Sequence, residues 1–171
     1  MIRSLFLALL AVGLLVSPLV STATTGEVPV GGVIRDQPMQ GLNGPSRPLS
    51  HYRGRPLVIN VWASWCEPCR REMGSLERLA RVHARGRFEV IGISTDDYPD
   101  KAKSFLNQTR ATLSHYIDQR LQLENMLGAD RLPLTLLVDI DGTVLDKTYG
   151  AQEWDSAANV ARIRKAFRLK D

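Results

Sequence analysis

The chain has 171 residues, 44% of them hydrophobic, and its formal net charge at pH 7 is +4. This length and apolar content indicate one globular domain with a full core, so the fold does not depend on disulfides. The basic excess is modest, and the arginines between positions 70 and 87 are interspersed with glutamates. That pattern is typical of a solvated helix face and argues against nucleic acid as a partner.

Residues 1–23 have the layout of a secretory signal peptide. A basic start at Arg3 precedes an apolar run from Leu5 to Val16, Pro18 follows the run, and small residues come before a cleavage point after Ala23. The run is shorter than the ~20 residues that a membrane-spanning helix needs. We therefore predict export to the periplasm and cleavage, with an uncleaved anchor in the inner membrane as the alternative.

A linker and a hairpin follow the predicted signal peptide. Residues 24–32 are small, polar and glycine-bearing, which predicts a linker in front of a single domain at 33–171. Within that domain, Met39–Leu42 and Arg47–Leu49 flank Asn43-Gly44, a strong signal for a β-hairpin. A single helical turn ending at Gly54 is predicted next.

The rest of the domain alternates strands and helices. Apolar β-branched runs predict buried strands, a period of 3.6 residues predicts helices, and Asp-Gly between two apolar runs predicts a hairpin. In chain order the predicted elements are a strand at 57–62, a helix after Cys69 that Gly86 closes and that buries His83, a strand at 88–93, a helix at 99–108, a short helix at 121–127, a hairpin of strands at 134–138 and 144–149, and a last helix capped by Asp155 or Ser156. Strand, helix and strand in succession predict a right-handed parallel crossover, and the late hairpin adds an antiparallel edge. The predicted fold is α/β, with a mixed central sheet flanked by helices and a small N-terminal β-hairpin extension.

The two cysteines, Cys66 and Cys69, lie three apart where the first core strand ends and the first helix begins. A zinc site needs about four ligands, and the three histidines are far apart in the sequence. Covalent haem requires histidine at position 70, which is Arg70. A structural bridge over so short a loop would constrain the unfolded chain little. We therefore predict no metal and no cofactor, and favour a redox couple.

A redox couple at this position has a physical rationale. Two cysteines three apart at a helix start can close a disulfide across the first turn, and Pro68 suits that turn. The amides of the turn point at Cys66 and stabilise its thiolate. The more exposed Cys66 then attacks, and the buried Cys69 resolves.

The segment Val61-Trp62-Ala63-Ser64-Trp65-Cys66-Glu67-Pro68-Cys69-Arg70-Arg71-Glu72 resembles the active-site segment of thioredoxin-fold proteins, particularly the exported TlpA/ResA-like thiol-disulfide oxidoreductases. The resemblance extends over nearly all of the predicted mature chain and includes 49–54, 90–94, 139–142 and 150–156. It implies a thioredoxin-like fold, thiol-disulfide exchange and protein thiols or disulfides as substrates.

The resemblance also implies roles for single residues. Cys66 matches the attacking cysteine, Cys69 the resolving one, and Glu72 the acidic partner of the thiols. Asn60 stands where cytoplasmic thioredoxins keep an aspartate, which favours the exported branch. Pro133 matches the cis-proline beside the disulfide.

Substrate contacts are expected around the dithiol. Trp65 is predicted to form the rim of a docking surface, whereas Trp62 and Trp154 are interpreted as packing residues. The other predicted substrate-binding residues are Glu67, Pro68, Leu132 and Pro133. The glycine often found shortly before the family's proline is absent here, and Leu132 offers a large apolar wall.

The negative charge of Glu67 beside Cys66 opposes a strongly stabilised thiolate and favours a reductant of protein disulfides. The resemblance implies cytochrome c maturation, oxidase copper-site assembly or general disulfide repair as the process served. With no third cysteine to relay electrons, re-reduction requires a separate partner, expected to be a membrane electron donor of the DsbD type. Two alternatives remain open at this point. A DsbA-like oxidase uses the same pair with the opposite electron flow, and a copper chaperone of this fold binds metal through its thiols.

Overall fold

The structure is a computed structural model that describes residues 26–170. The predicted signal peptide at 1–23 and the first residues of the predicted linker lie outside the described residues. Within 26–170, no helix combines the length and apolar character that crossing a membrane requires. Val28, inside the predicted linker, is buried and donates its backbone N–H to the carbonyl of Met126 at 2.8 Å. Residues near Val28 therefore lie against the domain.

One mixed sheet organises the described residues. Its seven strands are arranged in the order β2-β1-β5-β4-β3-β6-β7. Their bounds are β1 Pro38–Gly41, β2 Arg47–Pro48, β3 Leu57–Trp62, β4 Glu89–Ser94, β5 Ser114–Ile117, β6 Leu134–Val138 and β7 Val144–Tyr149. β3, β4 and β5 are mutually parallel neighbours, whereas β6 pairs antiparallel with both β3 and β7. The parallel pairing of β3 with β4 and the predicted late hairpin are both confirmed.

In the described part of the chain, four α-helices pack against the sheet. They are α1 Glu67–Arg78, α2 Pro99–Thr109, α3 Gln122–Leu127 and α4 Ala157–Ala166, and a 3-10 turn spans Leu49–Tyr52. Of the two residues predicted to cap α4, Ser156 is the cap, since its hydroxyl accepts from the backbone N–H of Asn159 at 3.3 Å. Gly128 ends α3 in the left-handed conformation, at φ 79°.

The helix that begins as α1 changes from α-helical to π-helical geometry after Arg78. Residues Leu79–Ala84 continue it as a π-helix, which has more residues in each turn than an α-helix. The buried face therefore shifts out of the α-helical period. His83, predicted to lie on the buried face, is only half-buried, and Ala84 is buried instead. That part of the prediction is wrong because the period changes within the helix.

The N-terminal hairpin is confirmed, and it forms part of the main sheet. β1 pairs antiparallel with β2 and also with β5, a strand that the sequence pattern does not predict. The loop at 42–46 is longer than a two-residue turn, and Asn43 within it bonds across to β5. Its amide donates to the carbonyl of Leu113, and its side-chain oxygen accepts from the N–H of His115, each at 2.8 Å.

The central strand β3 sends alternate residues to opposite faces of the sheet. Ile59 and Val61 join one apolar cluster, whereas Val58 and Trp62 pack on the other face, against the helix side that carries the cysteines. Asn60 lies on that second face. Trp62 and Trp154 are fully buried, so their interpretation as packing residues is confirmed.

Candidate active site

The two cysteines meet at the start of α1. Cys66 is the N-cap residue, and its sulfur accepts a hydrogen bond from the backbone N–H of Cys69 at 3.3 Å. The pair forms a disulfide with its Cα atoms 5.3 Å apart. Cys66 is 5% exposed and Cys69 is fully buried. The sequence therefore places both residues correctly, at the carboxyl end of β3 and in the first helical turn, with Pro68 in that turn.

Glu72 lies one helical turn beyond Cys69 and is only 1% exposed. Its carboxylate accepts hydrogen bonds from the Asn60 amide at 2.7 Å, from the backbone N–H of Gln152 at 3.0 Å and from the Trp154 indole at 2.9 Å. Burial raises the pKa of Glu72, and these three donors oppose that rise. A carboxyl group with a raised pKa holds a proton nearer to neutral pH.

Two of the residues around Glu72 have roles that the sequence pattern does not reveal. Asn60 also donates to the Thr135 hydroxyl at 3.0 Å, which fixes the amide between β3 and β6. Trp154 is a packing residue, as predicted, but it also donates to a carboxylate 82 positions earlier in the chain. No short-range pattern links residues so far apart, and only the folded chain brings them together.

An open groove lies beside Cys66. Trp65 is 71% exposed at its edge. Of the predicted substrate-binding residues, Trp65, Glu67, Pro68 and Leu132 line this groove; its other lining residues are Thr95, Asp97, Leu121, Glu124, Ala129, Asp130 and Arg131. Pro133 is buried next to Leu132, and the bond between them is cis. The groove thus collects residues from four separate parts of the chain around one sulfur.

The charged residues that follow Cys66 in the sequence are of both signs. Glu67 is exposed and lies within 4.0 Å of Arg70 and 3.7 Å of Arg71. Such exposed pairs are screened by solvent and contribute little. Arg70 also lies over the ring of Phe105 on α2, at 5.5 Å from the centroid. The acidic side chain at position 67 therefore lies beside two basic ones on the exposed side of the helix start.

The three histidines lie in different elements: His51 in the 3-10 turn, His83 in the π-helix and His115 in β5. His51 is exposed, His83 is half-buried and His115 is 1% exposed in the sheet. Among residues 26–170, no three His, Cys, Asp or Glu side chains are grouped to hold a metal ion.

A family model named Redoxin matches residues 35–165 of the chain. The chain belongs to the Redoxin family. Among curated relatives, thiol-disulfide oxidoreductase ResA of Geobacillus thermodenitrificans (strain NG80-2) is 30% identical over 117 residues, which are 68% of this chain and 67% of that protein. The ResA protein of Geobacillus kaustophilus (strain HTA426) matches to the same extent.

Solved structures show the same relationship. A candidate thiol:disulfide interchange protein DsbE from Chlorobium tepidum superposes with a TM-score of 0.75 at 26% identity, over 82% of this chain and 99% of that one. A candidate protein disulfide isomerase from Bacteroides thetaiotaomicron gives a TM-score of 0.70 at 25% identity, over 82% and 91%. This Redoxin-family protein is a thioredoxin-fold thiol-disulfide oxidoreductase of the TlpA/ResA-like type, which confirms the resemblance of segment 61–72.

Proposed function

We propose that the protein is an exported reductant of protein disulfides and that Cys66, Cys69 and Glu72 carry out the exchange. The observation that carries this proposal is the arrangement at α1. A cysteine at the helix start borders an open groove, its partner is buried behind it, and a buried carboxyl group follows on the same helix. A nucleophile at the surface and a proton-holding group inside are the parts that disulfide exchange needs.

The proposed reaction starts from the reduced protein. The Cys66 thiolate attacks one sulfur of a substrate disulfide, whose S–S bond breaks and whose other sulfur leaves as a thiolate. Cys69 loses its proton, for which Glu72 is the proposed acceptor, and attacks the Cys66 sulfur of the mixed disulfide. The second substrate thiolate leaves, and the Cys66–Cys69 disulfide remains. Two electrons have passed from the protein to the substrate.

The direction of electron flow follows from the charges near Cys66. An oxidase needs a strongly stabilised thiolate. A negative charge at position 67, ~6 Å from the sulfur at an effective dielectric of ~50, costs that thiolate at most about 1 kcal/mol, since solvent screens the exposed Glu67 side chain. The helix dipole supplies about 0.3–1 kcal/mol in the opposite sense. We therefore expect a couple nearer to thioredoxin, about −270 mV, than to DsbA, about −120 mV.

Equilibration with glutathione redox buffers tests this direction. The fraction of oxidised protein, read by alkylation and mass, gives the potential. We expect a value well below roughly −180 mV, the range of protein disulfide isomerase. A value above that level would overturn the reductant and favour the DsbA-like oxidase.

An activity assay distinguishes the proposed reductant from a copper chaperone. The reduced protein is titrated with Cu(I), and the same preparation is assayed for insulin reduction. We expect turnover of insulin. Tight copper binding without turnover contradicts the proposal.

Division of labour between the cysteines is tested with limiting iodoacetamide on the reduced protein. We expect Cys66 to be alkylated first because it borders the groove. Preferential labelling of Cys69 reverses the assignment.

A Cys69→Ser variant cannot resolve its mixed disulfide and therefore traps the natural substrate. The identity of the trapped protein distinguishes cytochrome c maturation, copper-site assembly and general disulfide repair.

Export rests on residues 1–23, and similarity to ResA and DsbE proteins supports an extracytoplasmic role. The proposed site of action is the periplasm, with re-reduction by a membrane donor of the DsbD type, since the chain has only two cysteines. Mass measurement of the native protein should give Thr24 as the first residue. An intact Met1 in the membrane fraction would favour the inner-membrane anchor.

A further inference from the structure

Asp96 lies in the loop after β4, outside the segment that carries the cysteines, and is 3% exposed. Its carboxylate accepts two hydrogen bonds from one residue, Ser64. The Ser64 backbone N–H donates to Oδ2 at 2.8 Å, and the Ser64 hydroxyl donates to Oδ1 at 2.6 Å. The hydroxyl of Ser94 donates a third bond, to Oδ2, at 2.7 Å.

These bonds determine where Ser64 lies. A buried carboxylate is stable only when its oxygens are hydrogen-bonded, so loss of these donors to Asp96 would destabilise the folded protein. Hydrogen bonds to an ionised acceptor are also shorter and stronger than those between neutral groups. Since one bond goes to the backbone and one to the side chain, Asp96 fixes both the position and the orientation of Ser64.

Ser64 is two residues before Cys66, in the short turn that leads from β3 into α1. The turn is closed by a bond from the Cys66 N–H to the carbonyl of Ala63 at 3.1 Å. A backbone hydrogen bond holds the loop after β4 against the end of β3, since the N–H of Thr95 donates to the carbonyl of Trp62 at 2.9 Å. Asp96 thus connects a rigid part of the sheet to the residues just before the attacking sulfur.

We propose that Asp96 is a positioning residue for thiol-disulfide exchange: through Ser64 it holds Cys66 where the sulfur of Cys69 can close on it. Closure is attack by the deprotonated Cys69 sulfur: it forms the Cys66–Cys69 bond and breaks the bond between Cys66 and the substrate, whose sulfur leaves as a thiolate. The rate and equilibrium of such an internal closure depend on how well the two reacting atoms are held together. The inference rests on the exchange activity of the family and is independent of the proposed role of Glu72.

The test measures the equilibrium of the dithiol with glutathione. We expect Asp96→Asn to lower the equilibrium constant for forming the disulfide about tenfold, which is a rise in potential of about 30 mV. Ser64→Ala keeps the backbone donor and loses only the hydroxyl, so we expect a drop of about threefold. Ser64→Thr keeps both donors and should restore the wild-type constant.

Asp96→Asn also removes a negative charge. The double variant that combines Asp96→Asn with Ser64→Ala therefore distinguishes an effect of positioning from an effect of that charge. If Asp96 acts through Ser64, the combined change is smaller than the product of the two single changes. Changes that multiply in full would show that Asp96 acts by its charge alone and would overturn the proposal. An Asp96→Asn constant within twofold of wild type, in a folded protein, would also overturn it.

Glu77→Gln is the matched control. Glu77 also accepts from the backbone N–H and the hydroxyl of one residue, Thr112, at 2.8 and 2.7 Å, but it lies more than two turns of α1 beyond Cys69. We expect an unchanged constant, and an equal shift in this control would contradict the proposal. Should Asp96→Asn fail to fold, Ser64→Ala and Ser64→Thr decide: no difference between them and wild type would refute positioning through Ser64.

Discussion

At the scale of single residues, the central feature is the carboxyl group of Glu72, buried and surrounded by three hydrogen-bond donors. Burial favours its protonated form, whereas the donors favour the ionised form. The balance leaves a group whose pKa is raised and which sits one turn from the buried cysteine. Small changes in the donors should therefore alter the pH dependence of exchange.

Glu72→Gln removes the ionisable group while keeping its shape. We expect the rate of disulfide exchange to fall by at least about tenfold, since proton transfer by a placed side chain contributes roughly 10²–10⁴ in rate. The fold should persist because the side-chain oxygen of Asn60 has no partner among residues 26–170 and can accept from the new amide after a flip. Stopped-flow exchange measured against pH checks the prediction. An unchanged profile would reduce Glu72 to a structural residue.

Trp154→Phe removes one of the three donors to Glu72. The ionised form then loses stabilisation, so the pKa of Glu72 should rise further, and the part of the pH–rate profile that depends on Glu72 should move to higher pH. Trp62→Phe is the matched control, because the Trp62 indole N–H is buried without a partner in the described part of the chain. Equal shifts in both variants would show that the indole hydrogen bond is irrelevant.

At the scale of elements, the start of α1 sets the reactivity of Cys66. The sulfur receives an amide hydrogen bond from the first turn, which stabilises a thiolate, while the acidic residue at position 67 destabilises it. A carboxylate in the first turn is thus favourable for the helix and unfavourable for the thiolate. The sequence has combined both effects within four residues.

Glu67→Gln tests this opposition. Without the negative charge we expect the pKa of Cys66 to fall by up to about 0.8, which corresponds to about 1 kcal/mol, and less at high salt because the side chain is exposed. The potential should become less negative. Thiolate absorbance against pH gives the pKa. The control Glu89→Gln changes a residue at the opposite end of the sheet that pairs with Arg55, and it should leave the pKa of Cys66 unchanged. A Cys66 pKa in Glu67→Gln equal to that of wild type would contradict the argument.

At the scale of the whole molecule, we expect a histidine inside the sheet to make the free energy of unfolding depend on pH. His115 is 1% exposed, and neither ring nitrogen has a partner among the described residues. Its ring packs against Trp62, with centroids 5.4 Å apart, and faces Gly92, where a Cβ would collide with it. Burial lowers the pKa of His115 to about 3. The folded protein therefore contains the neutral form well below the pH at which a free histidine is charged.

Acid should consequently destabilise the protein. Between pH 6.5 and about 3 the unfolded chain binds the His115 proton and the folded chain does not, so the free energy of unfolding decreases as the pH falls, by about 1.4 kcal/mol per pH unit from this group. The raised pKa of Glu72 acts in the opposite sense, but it is common to all variants compared. Urea unfolding from pH 7 to 4 should show a slope smaller by one proton in His115→Phe. The exposed-residue control His51→Gln should keep the wild-type slope, and equal slopes in all three proteins would contradict the prediction.

The sequence by itself determined the local features: the strand before the cysteines, the helix after them, the late hairpin and the dithiol itself. These follow from short-range periodicity and from residue spacing, which local sequence encodes. The strand β5 escaped prediction because Ser114 and His115 interrupt its apolar run, and its burial comes from neighbours that are distant in sequence.

Only the tertiary structure decided the surroundings of the dithiol. The donors around Glu72 come from β3 and from the segment after β7, and the carboxylate that holds Ser64 comes from the loop after β4. Parallel pairing of β3 with β4 places the carboxyl ends of both strands at one edge of the sheet, which brings Asp96 to Ser64 across 32 positions of sequence. Hydrogen bonds of this kind depend on sheet order and register, and neither composition nor periodicity specifies those.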